Sequence, residues 1–178
     1  MLKEFRPAVV IFAALTLVTG LIYPLAMTGA AQVLFPYQSQ GSLIEQGGKT
    51  IGSALIGQAF TESRYFHGRP SATTAPDPKD ASKTVPAPYN AINSMGYNPG
   101  PTSKPLADRL KEDTARLKAE NSSVPVPVDL VTTSGSGLDP DISPEAAQFQ
   151  VPRVARARGL PEDRVRAFVA AQTEGSLM

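Results

Sequence analysis

The 178-residue sequence has no cysteine, no tryptophan and a single histidine, His67. Without cysteine there is no disulfide framework, no thiolate nucleophile and no thiolate metal site. One histidine rules out a multi-histidine metal centre, and the acidic residues are scattered rather than clustered. Charge of one sign is lacking too: the formal net charge is +1. Lys3 and Arg6 against Glu4 account for it, so the rest of the chain is balanced and offers no electrostatic case for nucleic acid. Long apolar runs are equally scarce, because the chain contains only one. Turn formers are abundant, with 17 Pro and 14 Gly, which favours long irregular connections over a compact helical bundle.

The single apolar run, residues 8–27, reads AVVIFAALTLVTGLIYPLAM and carries no charge; the next charged residue is Glu45. At about 1.5 Å per residue, a helix of this length spans roughly 30 Å, the thickness of a bilayer's hydrocarbon core. Half of the run is Leu, Ile, Val or Phe, which favours insertion by roughly 3–6 kcal/mol before losses to Gly, Thr and Pro. The expected organisation is a tail over residues 1–7, a transmembrane helix over 8–30 and a mixed α+β domain over 31–178. Lys3 and Arg6 precede the run and no positive charge follows until Lys49. The positive-inside rule then puts the N-terminus in the cytoplasm and the domain outside. The competing reading is a cleaved signal peptide, with Thr28-Gly29-Ala30 as a loose small-residue site; the run exceeds the usual 7–15-residue signal core.

Within the helix, Pro24 lies four residues after Gly20, so a kink near the outer end is expected. Ala13, Thr16 and Gly20 share one side at i, i+3 and i+7, and small residues there let a partner helix approach closely. Ordinary membrane-helix composition explains the same pattern. Leu34-Phe35-Pro36-Tyr37 suits the membrane interface.

Beyond it, IGSALIGQAF (51–60) reads as a short strand, and RYFHGRPSA (64–72) as a core-packing aromatic pair flanked by arginines that bond local carbonyls. Residues 73–101 are proline-rich and read as a long loop, an insertion or a partner-binding arm. A helix is expected over 104–121, with Ser103 as N-cap and Leu106, Ala107, Leu110 and Leu117 on one face. VPVPVDLVTT (124–133) reads as a β-branched edge strand. Ser134-Gly135-Ser136-Gly137 reads as a turn, an anion contact or an oxyanion hole. Ser143 followed by Pro144 starts a helix that Pro152 splits, giving segments over 144–150 and 153–158 closed by Gly159. Arg153, Arg156 and Arg158 complement that helix end or form an anion or partner patch. A last helix starts at Glu162, with Val165, Phe168 and Val169 as its buried face.

Together, several stretches resemble the C subunits of Kdp-type potassium-transporting ATPases. They are GLIYPL (20–25), GSALIGQAF (52–60), YFHGRPSA (65–72), YNA (89–91), GPT (100–102), VPVDLVTTSGSGLDPDIS (126–143) and AAQFQVPRVARARGL (146–160), in the family's order. Two stretches depart from it. Residues 73–88 look like an inserted proline-rich segment. Ser94-Met95-Gly96-Tyr97-Asn98 stands where the family shows Ser-Gly-Gly-Ser-Asn, a segment likened to a nucleotide-contacting signature.

The resemblance implies a non-catalytic accessory subunit of a high-affinity potassium importer in a bacterial inner membrane. Its partners would be a channel-like subunit, a P-type ATPase subunit and a small membrane subunit. ATP and potassium would be handled by the complex, with no cofactor or metal bound by this chain. The family's C subunit is described as a catalytic chaperone that raises the ATPase subunit's affinity for ATP, which an external domain can do only indirectly. The alternatives are a single-pass adaptor of another complex and a secreted hydrolase using Ser134 or Ser136. N-terminal sequencing of the purified protein is expected to find the apolar run retained; a mature start near Ala31 would refute the anchor.

Overall fold

A computed structural model describes residues 2–175, so residue 1 of the expected tail and residues 176–178 of the expected domain lie outside the described residues. The described chain forms two compact units, divided between Ala54 and Leu55.

The first unit begins with a helix in three parts: α1 (Leu2–Leu17), a π-helical turn (Val18–Ile22) and α2 (Tyr23–Leu34). Residues Lys3–Leu34 form one candidate membrane span of 32 residues, and its most apolar stretch of 18 residues has a mean hydropathy of 2.2 and is unburied. The helix therefore continues past the expected end at residue 30. The π turn lies just before Pro24: the Tyr23 N–H bonds the Val18 carbonyl, five residues back instead of four. A short helix α3 (Pro36–Ser39) follows, then an antiparallel hairpin of β1 (Leu43–Gln46) and β2 (Lys49–Ser53). Gly47 and Gly48 turn it with φ of 60° and 75°, conformations open to glycine at little cost. This corrects the strand expected over 51–60. The turn fixes an earlier register, the strand ends at Ser53, and the Gly57 N–H bonds the Leu138 carbonyl.

The second unit contains a hairpin of β3 (Thr74–Pro76) and β4 (Thr84–Pro86), and three helices, α4 (Lys104–Glu120), α5 (Pro144–Arg158) and α6 (Glu162–Gln172). The proline-rich stretch is thus ordered. A two-stranded sheet has only edges, which tolerate proline. Its turn is closed by Asp77 and Asp80, which accept the Lys79 and Ser82 amides at 2.8 and 3.1 Å. The Ser82 hydroxyl, Lys83 and the Ser82 amide hold the Asp80 carboxyl below its ordinary range.

α5 is the central element. One part of its surface packs Ala146 and Phe149 against Leu117 of α4 and Leu130; another packs Val151, Val154 and Ala155 against Val165 of α6, with Phe66 alongside. The expected split at Pro152 does not occur. A proline inside a helix costs about 3 kcal/mol. Burying each Val or Phe returns about 1.5–3 kcal/mol, and four such side chains flank the proline or face it across α6. Ser143 caps the helix by accepting the Ala146 N–H at 3.0 Å, and Asp129 in turn accepts both the Ser143 amide and hydroxyl. Gly159 ends it in the left-handed conformation, φ 63°.

Residues 124–133 form no strand. Pro125 and Pro127 have no N–H to give a ladder, and the chain makes one 3-10 turn (Val128–Leu130) that puts Leu130 in the core. Ser103 holds the N-cap position of α4 without a side-chain capping bond. Of the expected α4 face, Leu117 is buried, Leu106 and Leu110 are half-buried and Ala107 is exposed. In α6, Val165 is buried but Phe168 is 55% exposed, with the Arg164 guanidinium 5.8 Å from its ring centre.

Gln150, 2% exposed, joins α5 to the loop before β3. Its Oε1 accepts the His67 N–H at 2.8 Å and its Nε2 donates to the His67 carbonyl at 3.0 Å. Gln150→Leu fits the space but leaves both His67 groups unpaired. The full-length chain in detergent is expected to lose about 1–3 kcal/mol of domain stability, measured by urea unfolding.

Candidate functional site

Apart from GLIYPL (20–25), which lies in the membrane helix, most of the stretches that carry the family resemblance lie in the second unit, where several meet on a hydrogen-bonded scaffold. In YFHGRPSA, Phe66 enters the core while Tyr65 does not. Tyr65 lies 5.1 Å from the Phe60 ring, with the guanidiniums of Arg64 and Arg158 at 5.0 and 5.5 Å from its centre. This corrects the expected packing of both rings on the core. The arginines divide as well: Arg64 pairs with Glu62 at 2.8 Å, whereas Arg69 bonds Asp139 at 3.0 Å and the Thr133 carbonyl at 3.3 Å. Arg153 is not free for an anion. It reaches Glu120 at 2.7 Å and the carbonyls of Ser63 and Tyr65 at 2.6 and 2.9 Å, and Arg158 bonds the Arg64 carbonyl.

Two hydroxyls then organise the loops. Ser71 Oγ donates to the Gly137 carbonyl at 2.7 Å and accepts the Tyr89 N–H. Thr73, 1% exposed, donates to the Ala87 carbonyl at 2.6 Å and accepts the Asn90 N–H. Tyr89 sits at φ 59°, a conformation costing a non-glycine residue about 1–3 kcal/mol. Its side chain compensates by donating to the Arg69 carbonyl at 2.7 Å and packing on Gly57, where an added Cβ would stand 2.6 Å from the ring.

The Ser94–Asn98 segment is part of the same scaffold. The Met95 N–H and Ser94 hydroxyl both donate to the Ser136 carbonyl at 3.0 Å. Gly137, at φ 70°, lies so close to Thr73 and the Met95 carbonyl that a Cβ would approach them to 2.6 and 2.7 Å. Ser134 is buried, and Ser136 Oγ accepts the Leu138 N–H. The His67 ring faces the Glu62 carbonyl at 3.2 Å, and among the described residues no hydrogen bond links it to either serine. No group of three His, Cys, Asp or Glu residues able to hold a metal occurs among the described residues.

Beside the scaffold lies an open cavity of about 700 Å³, with Phe66, Ile142 and Val169 as apolar walls and His67 and Asp141 at its edge. A groove of about 740 Å³ runs between residues 120–128 and the helices α5 and α6, with Val124, Val128 and Arg156 on its walls.

In the first unit, Ala13 and Thr16 lie on α1 and Gly20 in the π turn, all exposed. A Cβ at Gly20 would meet nothing within 4 Å. The Thr19 hydroxyl bonds the Leu15 carbonyl at 2.7 Å.

The family model described as KdpC, the K+-transporting ATPase c chain, matches residues 5–178. The chain belongs to this family. It is accordingly an accessory subunit of a potassium pump. A relative from Rhodopseudomonas palustris (strain TIE-1), named potassium-transporting ATPase KdpC subunit, is 71% identical over 99% of this chain and 88% of its own length. Relatives of the same name from Bradyrhizobium diazoefficiens and Methylobacterium nodulans are 69% and 70% identical, covering 100% and 98% of this chain and 89% and 87% of their own.

Sequence reasoning singled out the motifs but not Ser71, Thr73, Tyr89 and Gln150 as the residues that join them. Their partners are backbone groups, which leave no residue-type signal.

Burial of Tyr89, aided by the nearby Asp139 carboxylate and opposed by Arg69, raises its pKa above the ordinary 10.0. The folded state then holds this proton more tightly than the unfolded chain. The stability this contributes is complete below pH 10.0 and falls as pH rises through the folded value. Tyr89→Phe is expected to cost about 1 kcal/mol at neutral pH, through the lost bond to Arg69, and to flatten the alkaline decline. Urea unfolding across pH measures both.

Proposed function

We propose that the chain is a non-catalytic subunit that anchors an extracytoplasmic domain to the pump and raises the ATPase subunit's affinity for ATP indirectly, through the membrane subunits. The observation that carries this reading is the use of the motif residues. Ser71, Thr73, Tyr89, Arg69, Arg153 and Gln150 spend their polar groups on the chain's own backbone and side chains, as befits a rigid body that transmits position. The Ser94–Asn98 segment likewise gives its Met95 amide and Ser94 hydroxyl to Ser136, which favours an indirect effect on ATP. The charge pattern around the membrane span supports a cytoplasmic N-terminus.

The partners are the channel-like, P-type ATPase and small membrane subunits of a Kdp complex in the bacterial inner membrane. The side of the helix bearing Ala13, Thr16 and Gly20 is the docking face, since small residues admit a neighbouring helix. The ATP and potassium chemistry resides in the other subunits.

Two measurements test this. Ser136→Cys places a single thiol in a cysteine-free chain, at an exposed position. It is expected to react with a membrane-impermeant maleimide in intact cells; reaction only after lysis would reverse the orientation. Omitting the chain from the purified complex is expected to raise the ATP concentration for half-maximal ATPase activity by about 5- to 150-fold, the usual range of an allosteric coupling. An unchanged ATP dependence would reject the chaperone role.

A further inference from the structure

The π turn changes the hydrogen-bond count of the membrane helix. An α-helix gives each carbonyl the amide four residues on, and a π turn the amide five residues on. Here the Tyr23 amide goes to Val18, and α2 resumes with Ile22 as its N-cap. The carbonyls of Thr19, Gly20 and Leu21 are left between the two patterns. The amides that would serve them belong to residues 23–25, but Tyr23 is committed to Val18 and Pro24 has no N–H. Only Leu25 remains, within reach of Gly20 in the π pattern and of Leu21 in the α pattern. The Thr19 carbonyl has no backbone donor in either pattern, because Tyr23 is committed to Val18 and Pro24 has no N–H. The Thr19 hydroxyl bonds the Leu15 carbonyl, one turn back, and cannot reach its own.

Gly20 lies about 20 Å along the axis from Arg6, well inside a hydrocarbon core roughly 30 Å thick. An unsatisfied carbonyl there costs far more than at the interface. Lipid headgroups do not reach this depth. Gly20 carries no side chain, and a Cβ there would meet nothing within 4 Å, so a neighbouring helix can approach closely at this level.

We infer that the Thr19 carbonyl, beside Gly20, forms an acceptor site for a hydroxyl, amide or indole donor on a membrane helix of another pump subunit. The inference rests on the docking reading above and adds the chemistry that fixes where along the helix the partner sits. Recognition then depends on Pro24, which withholds the amide, and on Gly20, which leaves the approach clear.

The test uses the full chain, alone in lipid vesicles and assembled with the remaining, unlabelled subunits. Labelling threonine carbonyls with carbon-13 and glycine amides with nitrogen-15 selects two junctions, 19–20 and 28–29. Solid-state NMR is expected to show the Thr19 carbonyl signal moving downfield to a hydrogen-bonded value on assembly, while that of Thr28, in α2, stays. A bonded signal in vesicles alone, from water or a second copy of the chain, would overturn the inference. So would an unbonded signal in the complex.

Pro24→Ala restores the amide and is expected to reduce retention in the detergent-washed complex by about 3- to 20-fold, the range of one interhelical hydrogen bond. Val10→Leu, in the regular α1 segment, is expected to leave it unchanged. Equal retention of wild type and Pro24→Ala would also count against the acceptor site. Failure of the wild-type chain itself to co-purify with the pump would instead refute the docking reading.

Discussion

The second unit depends on how a buried polar side chain is satisfied inside an apolar helix surface. α5 is in contact with core on more than one side, so Gln150 cannot reach water, and a buried amide without partners costs about 1–3 kcal/mol. It is satisfied by pairing with both backbone groups of His67, as a neighbouring strand would. Its Nε2 also donates to the Ala146 carbonyl at 3.2 Å. That pairing fixes the start of the loop. Phe66 is then directed into the α5–α6 core, Arg69 towards Asp139, Ser71 onto Gly137 and Thr73 onto Ala87. Arg153, one turn along α5, braces the same loop through the Ser63 and Tyr65 carbonyls and ties it to α4 through Glu120.

This arrangement explains how a domain with little regular structure holds its shape. Long stretches between β2 and α4 form neither helix nor sheet ladders, so their backbone groups need other partners. Hydroxyls and amides provide them: Ser71, Thr73 and Asn90 each serve more than one backbone group. A side chain used in this way is fixed in place and has little chemistry left to offer.

Much of this was legible in the sequence where one local rule dominates. The membrane span follows from length and apolarity, the α5 start from Ser143 before Pro144, and its end from Gly159. The sequence misleads where two rules conflict. Pro152 breaks helices in isolation, but the burial of Val151, Val154 and Phe149 around it outweighs that cost. Residues 124–133 have strand-forming side chains, but the proline spacing denies them a ladder and the core requires Leu130. Tyr65 is an aromatic beside a core-facing Phe66, yet it closes a turn through its N–H bond to the Glu62 carbonyl at 3.0 Å, and arginines cover its ring instead. The Gln150–His67 pairing spans 83 residues and involves one side chain and one backbone, so no local pattern signals it.

The two units treat unsatisfied polar atoms in opposite ways. In the second, Arg69 and Arg109 each have a buried Nε unpaired, while Nη1 and Nη2 of Arg69 bond Asp139 and the Thr133 carbonyl, and Nη1 of Arg109 bonds Asp113 and the Val131 carbonyl. The deficit is small because each charge is already compensated. In the membrane helix no side chain compensates, and Pro24 guarantees that the carbonyls of the π turn outnumber the amides within reach. A polar deficit in lipid is relieved by neighbouring helices, Ser or Thr hydroxyls, ordered water or local helix adjustment. The acceptor site inferred at Thr19 assigns that role to a neighbouring helix, because the chain's own nearest amides are committed or missing.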